Sequence, residues 1–293
     1  LKSKRQWYWR GWRVHYIFQQ PTNDCQQNGR AIVLIHGFGA NVGHWRNNIP
    51  ALAENHHVYA IDLLGFGSSG KVFTEYKIEL WQEQLYDFWQ SFIAVPIVLI
   101  GNSLGSLVAL SLAAQHPSIV AGIIMLNIPD VGNRSKQIPP VIFPVLRLME
   151  NIVANSLLLR PLFYVLRRSS TIKKITKLAY FDQSSVDDEL IEMFSRPAQE
   201  PGADRTFLAL VHYAGGKKFA PPVLELIKNI TAPILLIWGK EDRIIPFAQA
   251  VRLLKSVPEI RLIALEKMGH CPHDENPILL NGIFLEWLAE NGL

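Results

Sequence analysis

The apolar run Pro96-Ile97-Val98-Leu99-Ile100 leads directly into Gly101-Asn102-Ser103-Leu104-Gly105, and a helix-like stretch, Leu107 to His116, follows. A short apolar run reads as a buried strand, and a serine between two glycines at its end marks a tight turn into a helix. The glycines have a steric reason, because a Cβ at either flank of such a turn collides with the strand or the helix. The strained turn exposes the serine Oγ, and the helix start aims free N–H groups and a positive dipole end at any anion formed there. G-x-S-x-G alone is common in loops. Strand before and helix after make Ser103 a candidate nucleophile.

A serine hydroxyl is a poor nucleophile at neutral pH and needs a base titrating near 7, which suits histidine. That histidine needs a carboxylate to fix its tautomer. In this turn architecture the acid and then the histidine follow the serine in chain order, each after its own strand. The strand-like run Ile234–Trp238 is followed by Gly239-Lys240-Glu241-Asp242, and the run Ile260–Leu265 by Glu266-Lys267-Met268-Gly269-His270. Asp242 is therefore the expected acid and His270 the expected base. Glu241 and Asp130 compete for the first role, and His273 for the second. Other histidines read as packing or surface groups. No spacing of the H-E-x-x-H kind is present, so no metal is expected.

Segments of strand and helix character alternate along residues 31–126 and 223–290, the mark of a mostly parallel sheet covered by helices. Ahead of them, Trp7–Arg10, Gly11 and Val14–Phe18 predict an antiparallel hairpin. A chain of 293 residues is long enough for one large core. Cys25 and Cys271 are the only cysteines, which excludes a disulfide framework. No signal peptide or apolar membrane span is evident in this chain, and its start at Leu1 rather than at a methionine leaves open whether a segment precedes it.

From about Val131 to Pro222 the alternation stops and only helices and loops are predicted. Residues 1–130 and 223–293 thus read as the core, and 131–222 as a helical lid inserted after the sixth strand. In the lid Arg134, Lys136, Arg147, Arg160, Arg167, Arg168, Lys173, Lys174 and Lys177 alternate with apolar clusters such as Val141–Phe143, Leu157–Leu159 and Leu162–Leu166. Glu150 is the only acid between Val131 and Tyr180, while the whole chain carries a net charge of only +4. Basic and aliphatic residues interleaved in this way suit peripheral contact with an anionic membrane. The alternative is apolar packing on the core with the charges in water. Nucleic acid is not expected, because the interleaved residues are mostly aliphatic rather than stacking aromatics.

Gly65-Phe66-Gly67-Ser68-Ser69-Gly70 matches G-x-G-x-x-G after the strand-like Val58–Ile61. A dinucleotide fingerprint opens straight into a helix, whereas here Lys71–Tyr76 intervene. A loop bordering the site is the better reading.

Taken together, these motifs resemble the α/β-hydrolase superfamily along the whole chain. Within it, Gly101–Gly105, the tract Gly269-His270-Cys271-Pro272-His273-Asp274-Glu275, the hairpin Trp7–Gly11, and His36–Gly39 through Gly43-His44-Trp45-Arg46 resemble the chlorophyll dephytylases and related pheophytinases. The superfamily resemblance implies that backbone N–H groups of Phe38 and Leu104 hold the oxyanion. The closer one implies hydrolysis of a phytyl ester of chlorophyll or pheophytin, releasing phytol, with no cofactor and at the thylakoid of a photosynthetic organism such as a cyanobacterium. Ser106 departs from the pattern, since many members carry a second glycine there. It is expected to alter elbow packing or to add a polar group beside the oxyanion site. Another esterase, lipase, thioesterase or carbon–carbon hydrolase, or a non-enzymatic receptor on the same fold, remains compatible with these residues.

Overall fold

A computed structural model describes residues 3–23, 30–131, 156–214 and 219–293. Cys25, Arg134, Lys136, Arg147 and the cluster Val141–Phe143 lie outside them. The first strands, β1 (Ser3–Trp9) and β2 (Trp12–Gln19), form the predicted hairpin. Its two turn residues, Arg10 and Gly11, have φ of 52° and 81°, the left-handed pair that matches the twist of the flanking strands.

The remaining strands are β3 (Ala31–Ile35), β4 (Val58–Ile61), β5 (Ile97–Asn102), β6 (Val120–Leu126), β7 (Ile234–Gly239) and β8 (Arg261–Leu265). They complete one sheet in the order β1-β2-β4-β3-β5-β6-β7-β8. The β1–β2 and β2–β4 pairs are antiparallel and the other described pairs are parallel. The central strands are apolar on both faces because both faces are covered. In β3, Val33 and Ile35 point into one core layer while Ile32 and Leu34 point into the other.

Among the described residues three α-helices lie between the strands from β3 to β6. Beyond the one-turn α1 (Ile49–Leu52), α2 (Ile78–Phe92) buries Ile78, Trp81, Leu85 and Phe88, the i, i+3, i+4 stripe of an amphipathic helix. Next, α3 (Leu104–Gln115) is buried nearly all round and begins three residues earlier than its hydrophobic periodicity suggests. Its extra turn starts at the elbow itself.

Between β6 and β7 the described residues form a helical cap: α4 (Ser156–Leu166), α5 (Ser169–Ala179), α6 (Asp188–Ser195) and α7 (Ala203–Ala214). The chain returns to the core through α8 (Val223–Ile227), α9 (Ala248–Ser256), the one-turn α10 (Pro272–Glu275) and α11 (Pro277–Glu290). Asn276 caps α11, accepting the Leu279 N–H at 3.1 Å with Pro277 in the first turn, so Leu280, Phe284, Trp287 and Leu288 face the second core layer. This is the α/β-hydrolase architecture, with its cap inserted after the sixth strand. The cap's positive charge is less one-sided than composition suggests, since Arg160 pairs with Asp204 of α7 and Lys173 with Asp188 of α6.

Candidate active site

The carboxyl ends of β3, β5, β7 and β8 meet at one edge of the sheet, where open α/β sheets bind ligands. At the end of β5, Ser103 sits at φ 55°, ψ −117°, a conformation a side-chain-bearing residue adopts only when its surroundings impose it. Its neighbours show why. A Cβ on Gly101 would lie 2.4 Å from the Gly105 carbonyl carbon, and one on Gly105 would lie 2.1 Å from the Ile35 carbonyl oxygen. The elbow is therefore wedged between its own helix and β3. Ser103 N–H donates to Leu126 O at 2.8 Å, tying the turn to β6.

Ser106 does not reach the oxyanion site. Its Oγ donates within a pair of buried carbonyls, Gly101 O at 2.7 Å and Leu126 O at 2.9 Å, and accepts the Leu126 N–H at 3.1 Å. The expected extra polar group is thus a brace between the elbow and β6, pointing away from the cavity that Ser103 lines.

After β7 and β8, Asp242 and His270 come together. The His270 Nδ1–H donates to Asp242 Oδ2 at 2.7 Å, with both side chains almost wholly buried. Asp242 receives three further bonds: Ile244 and Ile245 N–H on Oδ1 at 2.7 and 2.8 Å, and Asn127 Nδ2–H on Oδ2 at 2.6 Å. Four donors fix this carboxylate, and the carboxylate fixes the imidazole tautomer, leaving Nε2 as the free base. The competing acids are engaged elsewhere. Glu241 accepts the Met268 N–H, and Asp130 accepts the Val223 N–H at the start of α8. His273 is packed between the His44 and Trp45 rings at 4.4 and 4.2 Å, where burial pushes its pKa far down.

The loop after β3 passes beside the serine, for a Cβ on Gly37 would lie 3.3 Å from Ser103 Cβ. Buried His36 anchors it. Its Nδ1–H donates to Gly37 O at 2.7 Å while its Nε2 accepts the Leu63 N–H at 3.1 Å. Burial lowers its pKa, in keeping with the neutral ring those two bonds require. Phe38 follows in this loop, and Leu104 is the first residue of α3, where an N–H has no acceptor within the helix.

Gly65–Gly70 encloses a carboxylate of the protein itself. Asp62 accepts Val42 N–H at 2.7 Å, Ser68 N–H at 2.8 Å and a bond from His15 Nδ1 at 2.8 Å. A Cβ on Gly67 would stand 2.2 Å from its carboxyl carbon. The glycines make room for Asp62, which leaves no cradle for a pyrophosphate.

Sequence reasoning missed the way the cap is fastened to the His270 loop. His270 N–H donates to Ala179 O at the end of α5 at 2.6 Å. Glu275 accepts Gly269 N–H at 2.9 Å and Phe181 N–H at 2.7 Å, bridging the same two segments. Buried Tyr180 donates to Asp274 Oδ2 at 2.6 Å and receives His44 Nε2–H at 2.9 Å, while Arg46 Nη1 lies 2.7 Å from Asp274 Oδ1. The tract Gly269–Glu275 is the socket for the cap segment Ala179–Asp182. The signal lay in the density of polar residues around His270, which periodicity does not weigh.

Under the cap, Ser103 and His270 open into one cavity of about 440 Å³. Its floor is Gly37–Ala40 and its walls are apolar cap residues, among them Phe163, Leu166, Ile172, Ile175, Phe194 and Phe207. Among the described residues no group of three or more His, Cys, Asp or Glu side chains is placed to hold a metal ion.

Comparison with known proteins follows the same lines. Arabidopsis thaliana chloroplastic pheophytinase is 24% identical over 94% of this chain, which spans 64% of that protein's length. A 2-hydroxy-6-oxononadienedioate/2-hydroxy-6-oxononatrienedioate hydrolase from a Pseudomonas species is 24% identical over 91% of this chain and 90% of its own. The crystal structure of CarC, a serine hydrolase involved in carbazole degradation, superposes with a TM-score of 0.79 over 99% of each chain at 21% identity, a likeness of fold. The alpha/beta hydrolase family matches residues 32–281, and the chain belongs to it.

Proposed function

We propose that this protein is a serine hydrolase cleaving a carboxylic ester with a long apolar chain. The observation that carries the reading is that a strained Ser103 and an Asp242-bonded His270 line one apolar cavity. Ser103 Oγ attacks the ester carbonyl carbon while His270 Nε2 takes the hydroxyl proton and Asp242 steadies the imidazolium. The N–H groups of Phe38 and Leu104 hold the oxyanion. Collapse of the tetrahedral intermediate breaks the bond to the alcohol, which leaves with the proton from His270. Water, deprotonated by His270, then attacks the acyl-enzyme and releases the acid with Ser103 restored.

The apolar walls support a hydrophobic substrate class. A cavity of about 440 Å³ lies in the lower half of the usual range for small-molecule sites, roughly 300–1,000 Å³. Its size suits one acyl or isoprenoid chain. A phytyl ester of chlorophyll or pheophytin, met at a thylakoid, is the second reading. It is supported by the Gly269–Glu275 tract and by the pheophytinase relative.

One experiment separates the two. Purified protein and Ser103→Ala are incubated with p-nitrophenyl esters of increasing chain length, with chlorophyll a and with pheophytin a, and products are resolved by chromatography. Serine-dependent turnover rising with chain length, pigments untouched, supports the first reading. Serine-dependent release of chlorophyllide or pheophorbide selects the second, and equal rates in Ser103→Ala overturn both.

A further inference from the structure

Among the described residues, six of the fifteen exposed large hydrophobic residues fall within the twenty positions 162–181: Leu162, Tyr164, Val165, Ile175, Leu178 and Phe181. None of the six side chains belongs to the Ser103–His270–Asp242 set, and of them only Ile175 also lines the cavity. In α4 Leu162 and Val165 stand one turn apart, and in α5 Ile175 and Leu178 do the same, so each helix turns a short apolar ridge to solvent. The adjoining faces of these helices supply Phe163, Leu166, Ile172 and Thr176 to the cavity, so the cap is apolar both toward the cavity and toward solvent.

Basic side chains frame the outer ridges. Lys174 and Lys177 flank Ile175 and Leu178 along α5, and Arg167-Arg168 joins the two helices. Acids of α6 and α7 engage Lys173 and Arg160, while no ion pair is seen for Arg168, Lys174 or Lys177 among the described residues. The Arg167 guanidinium lies 4.4 Å over the exposed Tyr164 ring and also lines the cavity, as does half-exposed Ile175. Ridge and cavity rim are continuous through these two residues.

We propose that the α4–α5 face docks on an anionic lipid surface, with the apolar ridges entering the acyl boundary and Arg168, Lys174 and Lys177 meeting the headgroups. The inference rests on the cavity being a site for a hydrophobic ester, and it names where that ester is collected. Charge decides the occupant. A second copy of this face would set like charges against each other, whereas phosphate headgroups complement them.

The test is flotation of the full protein with vesicles of phosphatidylcholine, alone and mixed with phosphatidylglycerol, at low and high salt. Turnover of soluble p-nitrophenyl acetate is followed in parallel, because it needs no vesicle and reports the hydrolase reading by itself. Binding is expected only to the mixed vesicles and to weaken with salt. Lys174→Gln with Lys177→Gln should weaken it about 25-fold, and Leu178→Ser should weaken it without altering its salt dependence, each with soluble-ester turnover retained. Equal binding to both vesicles, no binding to either, or full binding by the double variant overturns the proposal. No binding to either would leave the face to an acidic protein partner. Loss of p-nitrophenyl acetate turnover in the wild type would instead indict the hydrolase reading.

Discussion

The backbone N–H of His270 is held by the carbonyl of Ala179, 91 positions earlier in the chain, at 2.6 Å. The proposed base and the end of cap helix α5 are therefore tied together, and Glu275 bridges Gly269 and Phe181 across the same seam. A cap residue that touches no reacting atom can thus control where the imidazole stands.

Tyr180→Phe tests this coupling. It leaves buried Asp274 and His44 each short of one partner, about 1–3 kcal/mol per orphaned group. We expect a clear fall in the thermal midpoint and a several-fold fall in kcat on a soluble ester, with KM nearly constant. Tyr8→Phe, at a site 68% exposed, is the control. An unchanged kcat would mean that the strap only stabilises the fold.

Asn127 offers a second handle on the same imidazole. Its Nδ2–H shares Asp242 Oδ2 with His270, and its backbone lies at φ 50°. Asn127→Gly removes the amide while accommodating that φ, so backbone strain does not confuse the result. Loss of one charge-assisted bond to the carboxylate is expected to lower kcat about tenfold, with little change in KM. A profile of kcat against pH identical to wild type would show that Asp242 is adequately held without Asn127.

How far the sequence reveals such a site depends on how local each signal is. Ser103, Asp242 and His270 are legible because each follows an apolar run, and the sheet gathers the ends of those runs at one edge. Asn127, Tyr180 and Asp274 are not, since their partners lie 94 or more positions away and no spacing announces them. Gly65–Gly70 shows the reverse failure. The glycines are plain to read, yet what they enclose, the Asp62 carboxylate, is decided by strand packing. Cap charge is partly misread for the same reason, because Asp188 and Asp204 come from helices outside the basic stretch.

Ser106 distinguishes a brace from a reactive neighbour. Ser106→Ala leaves the Leu126 N–H without its 3.1 Å acceptor in a fully buried place, a cost of about 1–3 kcal/mol. Chemical denaturation should register that loss, while preference among ester chain lengths should stay as in wild type. A changed chain-length preference with stability intact would return Ser106 to the oxyanion site.

Acid should weaken the fold in part through the cap socket. Burial lowers the His44 pKa from its ordinary 6.5 to about 4, and burial drives His273 well below its ordinary value too. A histidine whose pKa is depressed by folding binds a proton more readily when unfolded, so its contribution is intact above pH 6.5 and is lost as pH falls toward 4. For His44 alone that loss amounts to about 3 kcal/mol. Glu275 opposes it, since burial raises its pKa and acid favours its folded, protonated form. Two histidines against one carboxyl leave a net fall in stability across this window. Urea unfolding from about pH 7 down to about pH 4 measures it. His44→Asn should flatten the slope, and a slope that stays equally steep would place the acid sensitivity elsewhere in the core.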